Sequence, residues 1–437
     1  MRPQSGQPAA PQILGECYNW RRRLLAVRIL VLTSSYPKYP GDTTAPFIQA
    51  ITEELAARGH ELTVVLPARP DLRPASVPGV SFQPYRYAPS ESLAVFGYAE
   101  ALRGDVAVRP STYLVSPLAL ASGVAKTVAA ARRGAYDLLH AHWVVPSGAM
   151  ASPAAKLSGL PLVVSLHGSD VFLSERKGLF GRAARLAFRR ADAVTACSED
   201  LAERSLALGA GRRPVVIPYG VDADFFRPTP QDISRLRERL GLETGQPMVL
   251  AVGRLVHKKG FEILVEAIPR LVAGHPDLKV VIAGGGDLAA SLDARASRAG
   301  VRDHLMLVGN VSREELPAYY GAATVTAVPS IHDDAGNVDG LPNVMLEALA
   351  SGSAIVASAV AGISQAVRHG REALLVPERD ANALAHAILE LLGSRDTREA
   401  LGTNARARAR SAFTWGRVGD QFEDVFRTVT RSGGAAT

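Results

Sequence analysis

Two carboxylates eight positions apart, in the stretch DGLPNVMLEAL at residues 339–349, are the first candidates for chemistry. On one continuous helix Asp339 and Glu347 would lie about 80° apart around the axis and ~12 Å apart along it, too far to share a ligand. Pro342 lies between them, and proline prefers the first turn of a helix. We therefore predict that a helix begins near Pro342, with Asp339 in the preceding loop and Glu347 one to two turns inside.

A helix start of this kind suits an anion that is flanked by sugars. The first N–H groups of a helix lack partners within it and attract negative charge. Asn343 and Val344 can donate such groups, whereas Pro342 cannot. Glu347 could accept both hydroxyls of a ribose, and Asp339 could accept hydroxyls of a neighbouring sugar. The stretch therefore predicts a site for a diphosphate between two sugars, which describes a nucleotide sugar.

Two other loops of the second half carry groups that suit phosphates. In AVGRLVHKKGF, Arg254 and Lys259 follow a predicted strand and precede a helix, where cations fit phosphate oxygens; a solvated run of charge is the alternative interpretation. In VVIAGGGDL, three glycines (284–286) let a ligand approach the backbone, although a tight turn explains them equally well. The second loop is not the G-x-G-x-x-G dinucleotide fingerprint, because Asp287 lies inside it.

Histidines mark the first half of the chain. His140, His142 and His167 lie at predicted strand ends in HAHWVVPSG and SLHGSDVF. Three histidines without clustered cysteines or acids make a weak case for a metal, and no metal site is predicted. Asp170, within HGSD, could cap the segment that follows. Further on, SERKGLFGRAARLAFRRADAV predicts a basic amphipathic helix, which suits either an anionic membrane or an ordinary solvated surface.

Length and composition exclude several classes of protein. The chain has 437 residues, 47% of them hydrophobic and 21% charged, which is typical of a globular protein with two domains. We find no run of ~18 apolar residues and predict no membrane-spanning helix. Cys17 and Cys197 form neither a disulfide framework nor a metal site, which favours a reducing, cytoplasmic compartment.

The net charge of +7 is unevenly distributed. Residues 1–220 carry 25 Lys+Arg and 16 Asp+Glu, a balance of +9, whereas residues 221–437 carry 24 and 26, a balance of −2. A basic first half suits a phosphorylated acceptor, a membrane surface or nucleic acid, and a merely solvated surface is an equal alternative. Nucleic acid is the weakest of these, because stacking aromatics are missing near the basic residues.

Short apolar runs alternate with helical patterns through both halves. This alternation predicts an α/β protein with two doubly wound parallel sheets, each covered by helices on both faces. Ligands of such sheets lie beyond the carboxyl ends of the strands, so two facing domains would enclose a cleft. The boundary is predicted between Gly220 and Gln246, where the strand rhythm stops.

Taken in order, the motifs resemble those of retaining glycosyltransferases of the GT-B fold, in the family-4 group (glycosyl transferases group 1). GRLVHKKG resembles the Gly-Arg-Leu-x-x-x-Lys-Gly loop of that family, AGGGDL its Gly-x-Gly loop, DGLPNVMLEALASG its Glu-x7-Glu helix, and IPYGVDADFFRP its hinge strand. HGSD and HAHW resemble signatures of the first domain. The resemblance extends from about Val27 to Phe426.

The resemblance implies two Rossmann-like domains, with the acceptor in the first and the nucleotide-sugar donor in the second. Residues 27–222 would form the first domain and 223–412 the second, and 413–437 would hold a helix that returns to the first domain. Residues 1–26 are expected to be disordered or over-annotated. The enzyme is expected in the cytoplasm, with peripheral contact with anionic lipid at the inner face of the membrane as a further option.

The resemblance also assigns roles to residues. Arg254 and Lys259 would neutralise the leaving diphosphate, Glu347 would hold the ribose, and Asp339 and His167 would orient the transferred sugar. The residues expected to bind the donor are Arg254, Lys259, Gly285, Gly286, Asn310, Val311, Gly340, Leu341, Asn343, Val344 and Glu347, with Asn310 and Val311 near the base. Those expected on the acceptor side are Gly41, His142 and Asp170.

The implied reaction moves a hexose from a UDP-, GDP- or ADP-linked donor to a hydroxyl of a glycolipid or saccharide acceptor. The family keeps the anomeric configuration, works on one face of the sugar and needs no metal cofactor. This sequence departs from the family pattern at Asp339, which replaces a glutamate, at Tyr219, which replaces an asparagine, and at Gln365, which replaces a glutamate. These departures leave a non-catalytic, nucleotide-sugar-binding scaffold of polysaccharide assembly as the alternative.

Overall fold

The computed structural model describes residues 26–98, 102–103, 107–108, 110–175 and 178–433. The predicted dispensable segment 1–26 lies outside the described residues, except for its last residue, and Cys17 lies outside them as well. Within the described residues, two parallel sheets are each flanked by helices, as the alternating pattern predicts.

The first sheet has seven parallel strands in the order β3-β2-β1-β6-β7-β8-β9. Its central strands β6 and β7 are buried along their whole length, as is typical of parallel strands that helices cover on both faces. The elements of this half are β1 (Arg28–Leu32), α1 (Pro46–Ala57), β2 (Glu61–Pro67), β3 (Val80–Tyr85), a short hairpin of β4 (Leu102–Arg103) and β5 (Ala107–Val108), α2 (Pro110–Arg133), β6 (Leu138–His142), α3 (Ala149–Ser158), β7 (Leu162–Leu166), α4 (Ser169–Glu175), α5 (Leu179–Arg190), β8 (Ala193–Ala196), α6 (Glu199–Ala207) and β9 (Val215–Val216).

The second sheet has six parallel strands in the order β12-β11-β10-β13-β14-β15. In each sheet the strand order changes direction beside the first strand, between β1 and β6 and between β10 and β13, which is where such sheets bind ligands. The elements are α7 (Pro230–Arg239), β10 (Met248–Val252), α8 (Phe261–Gly274), β11 (Lys279–Ala283), α9 (Ala289–Arg298), β12 (Leu305–Gly309), α10 (Leu316–Ala322), β13 (Val325–Val328), α11 (Asn343–Ser351), β14 (Ile355–Ser358), α12 (Ile363–Ala366), β15 (Leu374–Val376), α13 (Ala381–Gly393), α14 (Arg395–Ala412) and α15 (Trp415–Gly433).

The last helix, α15, packs against α1 of the first domain. Phe422 and Phe426 are buried in one cluster with residues of strands β1 and β2. The contact is also ionic, since Arg58 at the end of α1 donates from Nη1 to Oδ1 of Asp420 at 2.7 Å. Helix α15 therefore follows the second domain in sequence but packs against the first domain.

Helix α2 bears on the expectation that no helix spans a membrane. Its stretch Leu114–Arg133 is long and apolar enough to cross a membrane by length and composition alone. Small residues and one lysine interrupt its apolar run. In the structure α2 packs against α3 and the first sheet, and 28% of that stretch is buried.

Candidate active site

The loops that follow β10, β11 and β12 interlock through their backbones. Gly253 N donates to Ala283 O at 2.9 Å, Leu255 N to Gly285 O at 2.9 Å, and Gly284 N to the carbonyl of Gly309 at 2.7 Å. A Cβ on Gly284 would lie only 1.9 Å from the Gly253 oxygen. Packing between loops is therefore one reason for the triple glycine, beside any approach of a ligand.

Two of the predicted donor glycines line this junction. A Cβ on Gly285 would lie 2.8 Å from Oδ1 of Asn310, and one on Gly286 would lie 2.7 Å from the Leu255 oxygen. Asn310 is exposed directly after β12, and Val311 is half-buried beside it. The structure thus brings Gly285 and Asn310 together.

Two lysines share the carboxylate of Asp339. Lys259 Nζ lies 2.5 Å from Oδ2, and Lys258 Nζ lies 3.0 Å from Oδ1. All three side chains are largely buried, with 8 to 14% exposed. Burial favours the neutral acid, but the two adjacent ammonium charges prevail and hold the pKa of Asp339 well below its usual range. The carboxylate is therefore ionised at neutral pH.

Lys258 was missed by the sequence analysis. The signal was present, because Lys258 directly precedes the predicted Lys259 on the turn after β10. Its contact with Asp339 joins the loop after β10 to the loop after β13, which sequence spacing does not reveal. Arg254 begins the same loop and is exposed at the carboxyl end of β10.

Helix α11 begins at Asn343, with Pro342 as the N-cap residue. The predicted arrangement is present: Asp339 precedes the helix, and Glu347 lies inside it. Gly340 and Leu341 are buried in the approach to the helix, and Asn343 and Val344 are half-buried in its first turn. Pro342 offers no side-chain cap at this end, so the first N–H groups of the helix remain suited to an anion.

Glu347 has a partner that the sequence did not suggest. The hydroxyl of Tyr320, on α10, donates to Oε2 of Glu347 at 2.9 Å. Burial raises the pKa of Glu347, while this hydrogen bond opposes the rise. Tyr320 therefore orients one oxygen of the carboxylate and leaves the other for a ligand.

His167 lies in a chain of buried polar groups in the first domain. Its Nδ1 hydrogen-bonds the hydroxyl of Tyr219 at 2.8 Å, and its Nε2 hydrogen-bonds Nδ1 of His142 at 3.1 Å. Burial lowers the pKa of His167 to about 3. The ring is thus neutral at pH 7, and both of its nitrogens are occupied. Tyr219, a departure from the family pattern, here serves as a partner of the predicted sugar-orienting histidine.

Two acceptor-side predictions do not fit the structure. Asp170 is buried, and its oxygens accept from the backbone N–H groups of Val144, His167 and Gly168, so it shapes the loop instead of facing a ligand. His142 is fully buried against the ring of His167. The contacts of both side chains therefore lie within the first domain, where Asp170 holds the loop and His142 supports the ring of His167.

The positions of the remaining first-domain residues are clear. Gly41 is exposed in the loop after β1, with a φ of 86° and open space around it. His140 was predicted at a strand end, but it lies in the middle of β6. Its Nε2 hydrogen-bonds Oγ of Ser165 at 2.7 Å. Among the described residues, no group of three or more His, Cys, Asp or Glu side chains is placed to hold a metal.

The loop before α11 contacts the first domain. A Cβ on Gly340 would lie 2.6 Å from Cδ1 of Leu201 and 3.1 Å from Sγ of Cys197, both in the first domain. Oε1 of Gln365 accepts from the N–H of Glu199 at the start of α6, at 3.0 Å. The loop that carries Asp339 therefore packs against the first domain, and Gln365 accepts a hydrogen bond from that domain.

Comparisons with known proteins agree with this architecture. Residues 232–408 match the family described as "Glycosyl transferases group 1", and residues 45–225 match "Glycosyltransferase Family 4". A GDP-mannose-dependent alpha-(1-6)-phosphatidylinositol monomannoside mannosyltransferase of Mycolicibacterium smegmatis is 31% identical over 89% of this chain and 95% of its own length. A putative teichuronic acid biosynthesis glycosyltransferase of Bacillus subtilis is 27% identical over 93% of this chain and 100% of its own.

Solved structures show the same fold. The crystal structure of Anabaena Alr3699/HepE in complex with UDP superposes with a TM-score of 0.71 at 23% identity, over 92% of this chain and 100% of the other. Sucrose-phosphate synthase from Thermosynechococcus elongatus gives a TM-score of 0.76 at 23% identity, over 93% and 100%.

Proposed function

Because the chain belongs to the family-4 group of GT-B glycosyltransferases, which use nucleotide-sugar donors, we propose that it moves a hexose to a hydroxyl of a glycolipid or polysaccharide precursor with retention at the anomeric carbon. The observation that supports this proposal best is the shared carboxylate of Asp339, with Lys258 and Lys259 on it, at the approach to the open N-terminus of α11. A diphosphate at that helix end would meet two kinds of positive potential, the ammonium groups and the helix dipole.

The charges of the site suit departure of a diphosphate. Negative charge grows on the leaving group as the glycosidic bond breaks, and fixed cations lower the energy of that state. Lys259 can turn from Asp339 towards phosphate, because Lys258 stays on the buried carboxylate and keeps it compensated. Arg254, exposed on the same loop, supplies a second cation with paired donors.

We assign the remaining contacts on the same grounds. Glu347, held by Tyr320, accepts the ribose hydroxyls. Asp339 and His167 orient the hexose, which requires His167 to exchange one of its two hydrogen bonds for a sugar hydroxyl. With two cations on the diphosphate, the reaction is proposed to need no metal ion. Retention is proposed to follow from attack on the face of the leaving group, whose phosphate oxygen takes the proton of the acceptor hydroxyl.

The names of the relatives suggest which substrates to test first. One acts with GDP-mannose on a phosphatidylinositol monomannoside, and another is assigned to teichuronic acid biosynthesis. GDP-mannose with a lipid-linked saccharide is therefore the first pair to try, beside UDP- and ADP-linked hexoses.

The test proceeds in two steps on the full chain. Thermal shifts with UDP, GDP and ADP identify the nucleotide that stabilises the protein, and transfer from its labelled sugars to extracted lipids and saccharides is then measured with and without EDTA. We expect transfer that EDTA does not abolish, an anomeric coupling in the product that matches the donor, and loss of transfer in Lys259→Met. A donor that binds but is never transferred to any acceptor would favour the scaffold alternative, and a product of opposite configuration would refute retention.

A further inference from the structure

Three neighbouring helices of the first domain expose apolar side chains to solvent. Helix α2 packs against α3, and α3 packs against α5, so the three form one layer on the sheet. Of the nine large hydrophobic side chains that are exposed among the described residues, five lie on these helices. They are Leu114 (80% exposed), Leu118 (56%), Leu157 (59%), Leu179 (77%) and Leu186 (54%). We call the outer side of α2, α3 and α5 the leucine–arginine face.

The charge of this face has a single sign. The three helices are 24, 10 and 12 residues long, 46 in all, and contain no aspartate or glutamate. They carry three, one and four cationic residues, eight in all: Lys126, Arg132, Arg133, Lys156, Arg182, Arg185, Arg189 and Arg190. Of these, Arg190 pairs with Asp192 at 3.0 Å. A surface of this composition attracts an extended anionic partner.

Helix α2 has an apolar stripe on its outer side. Residues spaced three or four apart are exposed and uncharged until the stripe reaches Arg132. They are Leu114, Pro117, Leu118, Ala121 and Ala125. Small side chains leave a groove of about 730 Å³ between α2 and α3, whose lining is apolar except for Arg132. A helix on the surface of a water-soluble protein normally turns its apolar stripe towards the core and its polar side towards solvent.

We propose that the leucine–arginine face docks on an anionic phospholipid bilayer. Leucines that protrude between arginines and lysines can enter the boundary of the acyl chains while the cations meet the headgroup phosphates. A second copy of the chain is a poor occupant, because two faces with eight cations each would repel. Nucleic acid is a poor occupant as well, because it offers no apolar phase for five exposed leucines.

The direction of the helices relates this face to the cleft. Helix α2 leads into β6 and α5 leads into β8, so both run antiparallel to the strands of the parallel sheet. Their N-terminal portions, with Leu114, Leu118 and Leu179, therefore lie towards the carboxyl edge of the sheet, where the cleft opens. Docking would bring the acceptor side of the cleft next to the bilayer. Only this last step, the delivery of a lipid-borne acceptor, rests on the proposed function.

Vesicle binding tests the proposal without any measurement of activity. Full-length protein is sedimented with sucrose-loaded vesicles of phosphatidylcholine alone or mixed with phosphatidylglycerol, at low and high salt. We expect binding to the anionic vesicles only, and weaker binding at high salt. Since each cation near the surface changes the partition coefficient about fivefold, Arg182→Gln with Arg185→Gln should lower it about 25-fold. Leu114→Asp with Leu118→Asp should also release the protein.

Matched control variants change exposed arginines and an exposed leucine outside the leucine–arginine face. Arg235→Gln with Arg298→Gln neutralises two exposed arginines of the second domain, and Leu206→Asp changes an exposed leucine of α6. Both should bind vesicles as the unmodified chain does, and all variants should keep the thermal shift with nucleotide. Equal loss in the control variants, or no binding to anionic vesicles, would refute the proposal. So would a dimer in solution that Leu114→Asp with Leu118→Asp dissociates, because the face would then bind a second copy.

Discussion

Lys258 and Lys259, adjacent in the chain, hold opposite oxygens of Asp339, at 3.0 Å and 2.5 Å. A buried carboxylate with one cationic partner would be left uncompensated if that partner moved to a phosphate. The second lysine removes this conflict. We therefore regard Lys258 as a positioning residue that lets Lys259 bind the diphosphate.

Replacement of Lys258 should impair donor binding through Lys259. In Lys258→Met, Lys259 is the remaining partner of Asp339, and its exchange for phosphate leaves a buried charge. We expect donor affinity, measured by calorimetry, to fall roughly tenfold, with partial rescue in Lys258→Arg because a cation is restored. The double variant Lys258→Met with Asp339→Asn should recover affinity relative to Lys258→Met alone. Equal donor affinity in Lys258→Met and the unmodified protein would contradict this role.

Arg254 should act on turnover more than on folding. It is exposed at the end of β10, so its removal leaves the core intact. Loss of a cation that stabilises the leaving diphosphate costs about 10²-fold in rate in comparable sites. We expect Arg254→Ala to lower kcat/KM by that order in single-turnover transfer, while Arg298→Ala, another exposed arginine, changes nothing. A rate in Arg254→Ala within a factor of two of the unmodified enzyme would exclude the assigned role.

The proposed contact of Glu347 with the ribose can be tested with a nucleotide that lacks the ribose hydroxyls. We expect Glu347→Ala to bind the preferred nucleoside diphosphate roughly tenfold more weakly, because hydrogen bonds from ribose to a carboxylate are lost. The same variant should bind the 2′,3′-dideoxy analogue with unchanged affinity relative to the unmodified protein. Tyr320→Phe, which removes the bond that orients the carboxylate, should show a smaller loss of the same kind. An equal loss for both nucleotides would place the effect of Glu347 elsewhere than on the ribose.

Local patterns predict much of this architecture, and contacts across loops are what they miss. Pro342 indicates where α11 begins, and the apolar runs indicate most strands of both sheets. The contact of Lys258 with Asp339 arises because β10 and β13 are neighbours in the sheet, which spacing along the chain does not encode. The histidines show the same limit, since strand ends were predicted correctly for His142 but not for His140. Apolar composition, finally, cannot tell a buried helix from one such as α2 whose stripe faces solvent.

Acid should destabilise the first domain through its buried histidines. Burial lowers the pKa of His140 to about 3, whereas an unfolded histidine titrates near 6.5. The contribution of neutral His140 to the free energy of unfolding is therefore fully present above about pH 6.5. It is lost as the pH falls from there towards 3, because only the unfolded state takes up the proton. His140→Phe retains the ring packing against Phe422 and Phe426.

Urea unfolding at several pH values measures this effect. Between about pH 6 and pH 4 we expect the free energy of unfolding of His140→Phe to fall less steeply than that of the unmodified protein, by about 1.4 kcal/mol per pH unit, which corresponds to one proton. Ser165→Ala removes the hydrogen bond between Ser165 and His140 but keeps the imidazole. It should therefore lower the free energy of unfolding equally at all these pH values. Parallel pH profiles for His140→Phe and the unmodified chain would show that this ring takes up a proton in the folded state.

A comparison of Gly260 with Gly241 distinguishes the cost of backbone strain from the cost of a steric clash near the site. Gly260, which follows Lys259, and Gly241, after α7, have φ values of 65° and 64°. A Cβ on Gly241 meets open space, whereas one on Gly260 would lie 1.9 Å from the carbonyl oxygen of Pro329. Alanine at either position pays about 1–2 kcal/mol for the left-handed backbone, and Gly260→Ala must also displace the loop after β13, which adds about 1–3 kcal/mol. We expect Gly260→Ala to be the less stable variant in urea and to bind the donor more weakly, because Lys258 and Lys259 move with the turn; equal stability of the two variants would mean that the loops after β10 and β13 are not in contact.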